Sequence, residues 1–153
     1  MKLFEKIVNV ISDYNVSVEV NKHELNIINR DNDNVLHVYE DMFLSQDKKE
    51  SFSEYIVEFS TQHRHFEDDS EDEITEYILL ILNDKVLPLE FYMDGKRRFG
   101  GETNSDELDD LSVSSLSKHY GCTSEYLISF DYEIHSWSGK YDTGLRKVSD
   151  LKP

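Results

Sequence analysis

The strongest constraint on the fold is a succession of short segments in which apolar and polar residues alternate. Val16-Ser-Val-Glu-Val20 is one, His23–Asn29 (HELNIIN) a second and Val35–Glu40 (VLHVYE) a third. Glu54–Gln62 (EYIVEFSTQ) is a fourth, with Tyr55, Val57 and Phe59 on one face. A period of two is the signature of half-buried strands. Ahead of them, Leu3, Phe4, Ile7, Val8 and Ile11 recur at helical spacing, which predicts a helix over 2–14. RDNDN at 30–34 is a turn cluster. The first third of the chain therefore reads as a helix followed by an antiparallel meander. Residues 41–53 are polar and irregular and read as a loop.

Downstream, Ser70 stands three residues before Glu73, a capping box. Ile74, Tyr77, Ile78, Ile81 and Leu82 then form an apolar helical stripe that ends at Asn83-Asp84. KVLPLEFYM (85–93) reads as a strand whose Pro88 suggests an edge or a bulge. Asp94-Gly95 is a two-residue hairpin turn, and KRRF (96–99) is the returning strand, broken by Gly100-Gly101. A third helix is expected over 105–119 and a long strand over 125–137. Without a repeat, a low-complexity tract or a linker, residues 1–153 read as a single α+β domain. Its sheet is mostly antiparallel, with about three helices packed on it.

Composition narrows the chemistry. One cysteine, Cys122, cannot form an intrachain disulfide, and a reducing, cytoplasmic setting is expected. The first residues lack the unbroken apolar stretch of a signal peptide, and no segment approaches a membrane span. Acids outnumber Lys plus Arg by 32 to 16, a formal net charge of −16. Spread evenly over roughly 8,000 Å² of surface, the excess charges would lie about 22 Å apart. That spacing is far beyond the screening length of about 8 Å, so only clustered acids generate a field that a partner feels.

The acids do cluster. Residues 67–76 hold Glu67, Asp68, Asp69, Glu71, Asp72, Glu73 and Glu76, seven acids in ten residues without a base. Residues 102–110 hold Glu102, Asp106, Glu107, Asp109 and Asp110. Both runs stand where a helix is expected to begin. Acids there gain about 0.3–1 kcal/mol each from the helix dipole. Seven in ten exceeds what that effect rewards, because neighbouring carboxylates repel. A binding surface for a basic macromolecule is the reading that follows. Nucleic acid and anionic membrane are disfavoured as partners, since both call for excess Lys and Arg.

Other chemistries find less support. The acidic runs lack the central glycine of a calcium loop. Cys122 has no catalytic motif around it, Ser136-Trp137-Ser138-Gly139 is no nucleophile elbow, and Gly100-Gly101 is no phosphate loop. No cofactor is expected and the chain reads as a non-enzyme. Two alternatives stay open: a metal-dependent hydrolase built on His63, His65 and Glu67, which would share one strand face, and a nucleic-acid mimic that inhibits a DNA enzyme. The triplet Lys96-Arg97-Arg98 reads as an internal counterweight to one acidic run. Trp137, Tyr132, Tyr126 and Tyr141 read as sheet aromatics.

Residues 55–102 carry a resemblance. An H-x-H strand end, an acidic capped helix ending in Ile81-Leu82-Asn83-Asp84, the LEFY strand (89–92) and the turn Gly95-Lys-Arg-Arg-Phe-Gly-Gly101 resemble small immunity proteins. Such proteins belong to bacterial toxin–immunity systems, including contact-dependent growth inhibition. The resemblance covers about a third of the chain. It implies an acidic cytosolic inhibitor whose partner is a cognate toxin domain, a basic protein of nuclease type, with no catalysis of its own. The candidate contacts Glu67, Asp68, Asp69, Glu71, Asp72, Glu76, Glu102, Asp106, Glu107, Asp109 and Asp110 come from charge clustering alone.

Overall fold

The structure is a computed structural model that describes residues 2–44 and 51–153. It is α+β, with all strand pairing within its sheets antiparallel, and the strands divide between two sheets. Two compact units hold one sheet each, Met1–Leu82 and Asn83–Pro153.

The first unit begins with α1 (Lys2–Val10) and continues through β1 (Val16–Val20), β2 (Glu24–Asn29), β3 (Val35–Leu44), β4 (Ser51–Phe59) and β5 (Gln62–Glu67) to α2 (Glu71–Leu82). Each strand pairs with the next, so the sheet order equals the chain order. Part of the expected loop at 41–53 is strand, since β3 runs on to Leu44 and β4 starts at Ser51; its residues 45–50 lie outside the described ones. The segment expected as one strand over 54–62 ends at Phe59. Ser60, at φ 58°, turns the chain into β5.

Alternation sorts the side chains into two faces. Leu25 and Ile27, Leu36 and Val38, Val57 and Phe59 share the inner face, all at most 5 % exposed. Both helices contribute to this core. Phe4 of α1 meets the Tyr55 ring at 6.3 Å, and Tyr77 of α2 meets Phe66 at 5.6 Å. Arg64 lies on the same face, its guanidinium 4.9 Å from the Tyr77 ring centre. Each fully buried Leu, Ile or Phe is worth about 1.5–3 kcal/mol, which fixes the register: a slip of one residue would turn the inner set outward.

In the second unit, β6 (Val86–Met93) is flanked by β7 (Lys96–Asn104) and β8 (Asp131–Ile134), and β9 (Arg146–Lys147) extends the sheet. Asp94 and Gly95 both take positive φ, 53° and 74°, the geometry of the primed hairpin turn that their sequence predicts. Pro88 does not mark an edge strand. β6 is central, and Pro88 lies one residue beyond the β6–β8 ladder, where a missing N–H is tolerated. A bulge does occur in β6, between Phe91 and Tyr92.

The helix expected over 105–119 is two elements. A 3-10 turn spans Ser105–Asp110, and α3 spans Val113–Tyr120. Ser112 separates them. Its hydroxyl accepts from the Ser115 N–H while the Ser115 hydroxyl accepts from the Ser112 N–H, a capping box that restarts the helix. The N–H groups of Val113 and Ser114 donate to the carbonyls of Lys152 and Pro153. The strand expected over 125–137 is also shorter. Thr123 caps a single helical turn, α4 (Ser124–Leu127), and only Asp131–Ile134 pairs as a strand. Leu87, Leu89, Phe91, Leu116, Leu127 and Phe130 are the centre of this unit's core. Of the four aromatics read as sheet residues, only Tyr132 lies on a strand; Trp137 is buried but follows β8 in a bend, Tyr126 is half exposed on α4, and Tyr141 lies in a turn.

Candidate functional site

The outer face of the five-stranded sheet is an array of carboxylates and histidines. Register places Asp41, Glu54 and Glu67 directly opposite one another across β3, β4 and β5. A second row crosses all five strands as Glu19, Asn26, His37, Glu58 and His63. Between them lies Glu24, Tyr39, Ile56 and His65. Like charges directly opposite in a sheet destabilise it by about 0.2–1 kcal/mol per pair. The row Asp41–Glu54–Glu67 contains two such pairs in succession.

Histidines are interleaved with these acids. Nδ1 of His65 is 2.8 Å from Glu54, and Nδ1 of His37 is 3.7 Å from Glu24. At the same end of the sheet, His23 lies 3.4 Å from Glu40. A shallow depression of about 510 Å³ is lined by His23, Glu24, His37, Tyr39, Glu40 and Glu58. The field of the array is felt by Tyr39, whose phenol is held above its ordinary pKa by burial and then by Glu58, Asp41 and Glu54.

Of the residues nominated from sequence, Glu67 closes this array and Asp68 and Asp69 continue it into the turn before α2. Asp68 accepts from the Ser53 hydroxyl at 3.2 Å. Glu71, Asp72 and Glu73 form the first turn of α2, and Glu76 is exposed on the next. Asp72 is bonded to Lys6, which holds its carboxyl below the usual range. In the second unit, Glu102 is exposed on β7, and Asp106, Glu107, Asp109 and Asp110 are exposed on the 3-10 turn. Asp106 meets Lys85 at 3.1 Å. The two runs belong to different units.

The triplet at 96–98 does not serve as the expected counterweight through Arg97. That side chain donates to the fully buried Glu90 at 2.7 Å, outside both runs. His63 and His65 stack edge to face at 5.2 Å on β5. Among the described residues, no three His, Cys, Asp or Glu side chains converge to hold a metal ion. Sequence reasoning missed Glu24, Asp41, Glu54 and Glu58. They are dispersed singly along strands, and the only signal was their alternation with the apolar set.

Four phenols, Tyr39, Tyr55, Tyr92 and Tyr120, are raised above their ordinary value, burial being the largest cause in each. Above the ordinary phenol range near 10, the unfolded chain releases protons that the folded chain retains. Stability is therefore full below that range and falls as pH rises through it. Urea midpoints at about pH 9 and about pH 11 should show this loss, and Tyr39→Phe should shrink it. A flat profile would contradict the assignment.

Comparison with protein families, curated proteins and solved structures finds no match for the chain. No helix among the described residues is long and apolar enough to cross a membrane.

Proposed function

We propose that the chain is an immunity protein that neutralises a basic toxin domain by laying a carboxylate surface over its cationic active site. The observation that carries this reading is the Asp41–Glu54–Glu67 row. A sheet stabilised only for its own sake would not place three carboxylates side by side on one face. A cationic partner turns that internal cost into attraction and raises the encounter rate. The adjoining acids Asp68 and Asp69 enlarge the same surface, and the 102–110 run offers a second patch on the other unit.

The hydrolase alternative built on His63, His65 and Glu67 gains nothing from the geometry, since Nδ1 of His65 is engaged by Glu54 rather than directed with Glu67 at a common point. Affinity capture with the tagged chain, in the strain that produces it, should return a cationic protein whose toxicity is suppressed by co-expression. Recovery of a protein that stays toxic under co-expression, or of no protein, would defeat the reading.

A further inference from the structure

We propose that two copies of the chain associate through β1, edge to edge and antiparallel, joining their five-stranded sheets into one of ten. The sheet of the first unit ends at β1 on one side and at β5 on the other, and that of the second unit at β7 and β9. Open edges accept a further strand unless charge, proline or a bulge blunts them. Arg64 stands on β5, Lys96, Arg97 and Arg98 open β7, and β9 is Arg146-Lys147. β1 carries no base and no proline, and its ladder to β2 runs without a register shift. Its backbone is set for addition. The N–H of Asn21 donates to the Glu24 carbonyl and that of Arg30 to the Asn15 carbonyl, so Ser17 and Glu19, in step with these, bond to β2. Val16, Val18 and Val20 consequently turn their N–H and C=O groups outward. The Val16 N–H is taken by the Tyr14 carbonyl at 2.9 Å, which leaves the N–H groups of Val18 and Val20 and the valine carbonyls for a neighbour.

The side chains agree with the backbone. Val18 is 38 % and Val20 45 % exposed, although they stand opposite Ile27 and Leu25 on the inner face, and those two are fully buried. The core face thus runs out past the cover of α1 at this edge. A groove of about 420 Å³, lined by Phe4, Glu5, Val8, Asn9 and Val20, continues the apolar strip between α1 and β1. A second copy fits because β1 is its own complement. Pairing centred on Val18 sets Val18 against Val18, Val16 against Val20 and Ser17 against Glu19 of the second copy. The Val18 N–H then meets the Val18 carbonyl, and the Val20 N–H the Val16 carbonyl, each twice by symmetry. The only charge on the strand, Glu19, faces a serine. Centring on Glu19 instead would oppose two carboxylates, which is destabilising, and centring on Ser17 would carry Val20 past the end of the neighbouring strand. In the Val18 register the valines of both copies gather on the inner face, between the two α1 helices, and bury what each copy alone exposes.

The pairing is independent of the toxin reading, and salt separates the two. Between copies of net charge −16, association strengthens as salt screens the repulsion, whereas capture of a cationic partner weakens. Sedimentation equilibrium of the full chain, from about 10 to about 500 μM in about 0.5 M sodium chloride, should show a reversible dimer with Kd about 30 μM. The limiting mass should be twice the 18.0 kDa of the chain. Over the same range, hydrogen exchange should slow at the Val18 and Val20 amides and stay constant at Ser17 and Glu19, which already bond to β2. Ser17→Lys, facing Glu19 of the second copy, should tighten the dimer about fivefold, and Ser17→Glu should loosen it about fivefold. Val18→Lys, which gives β1 the kind of charge the other edges carry, should leave a folded monomer throughout, with folding followed by circular dichroism. A wild-type chain that stays monomeric at the highest concentration would overturn the pairing. So would a dimer whose Val18 and Val20 amides exchange as fast as in the monomer, or whose Kd ignores both Ser17 variants. Protection of those amides by another protein, with the chain itself monomeric, would give the edge to a foreign strand and overturn the pairing equally.

Discussion

Replacing Asp41 by Asn and Glu54 and Glu67 by Gln together should slow association with the cationic toxin domain proposed as the partner about 10- to 100-fold, while folding stability stays level or rises. The three carboxylates are in cross-strand register on one face of the sheet. Removing them abolishes two like-charge contacts, each worth about 0.2–1 kcal/mol of destabilisation. Stability and binding are thus predicted to move in opposite directions, which no general damage to the fold would produce. Stopped-flow association at increasing salt supplies the readout. The wild-type rate should fall steeply with salt, because exposed charges are screened within about 8 Å at physiological strength. The variant's dependence should be shallower. Gln at position 54 retains an oxygen that can accept from His65, so that contact survives. Should the triple variant associate at the wild-type rate, and neutralisation of Asp106, Glu107, Asp109 and Asp110 slow it instead, the contact surface belongs to the second unit.

The largest stability effect expected of a single surface-reaching side chain is at Arg97. Arg97→Ala should cost about 3 kcal/mol, the lower end of what removing one partner of a buried ion pair costs. Glu90 is fully buried on the central strand β6, and Arg97 reaches it across the β6–β7 hairpin. The Arg97 side chain is 42 % exposed, so water supports it, and the penalty falls mainly on the buried carboxylate, which keeps its hydrogen bond with Tyr92 but loses its cation. The double variant Glu90→Gln with Arg97→Ala should recover most of the loss, because the residue remaining in the core is then neutral. Urea denaturation of the four chains closes the cycle. An Arg97→Ala chain as stable as wild type would mean that Arg97 does not hold the buried carboxylate.

The same pair illustrates how far the sequence could be read. Lys96-Arg97-Arg98 stands out as a basic triplet in an acidic chain, but only the hairpin geometry sends Arg97 to Glu90. Strand periodicity made the opening meander legible: HELNIIN and VLHVYE bury alternate residues, whereas VSVEV, the edge strand, alternates in sequence yet buries none. β5 is legible in the sequence only as a polar strand end and not as a strand of its own, because its outward positions are His63, His65 and Glu67 and only Phe66 is buried on it. An edge strand has one neighbour and a weaker apolar signature. The helix over 105–119 was read as continuous because Leu108, Leu111 and Leu116 keep an approximately helical spacing. The extended backbone at Leu111 and Ser112 interrupts it there.

By itself the chain's sequence determined the α+β class, the antiparallel meander, the Asp94-Gly95 hairpin and two contiguous acidic runs, all of which depend on residues close in sequence. The tertiary structure alone decided that the strands divide between two sheets. It also decided that Asp41, Glu54 and Glu67 stand abreast, and that β1 stands at a sheet edge with Val18 and Val20 exposed. The physical reason is that cross-strand register and burial join residues many positions apart, and a pairing energy set by distance in space leaves no trace in the spacing along the chain.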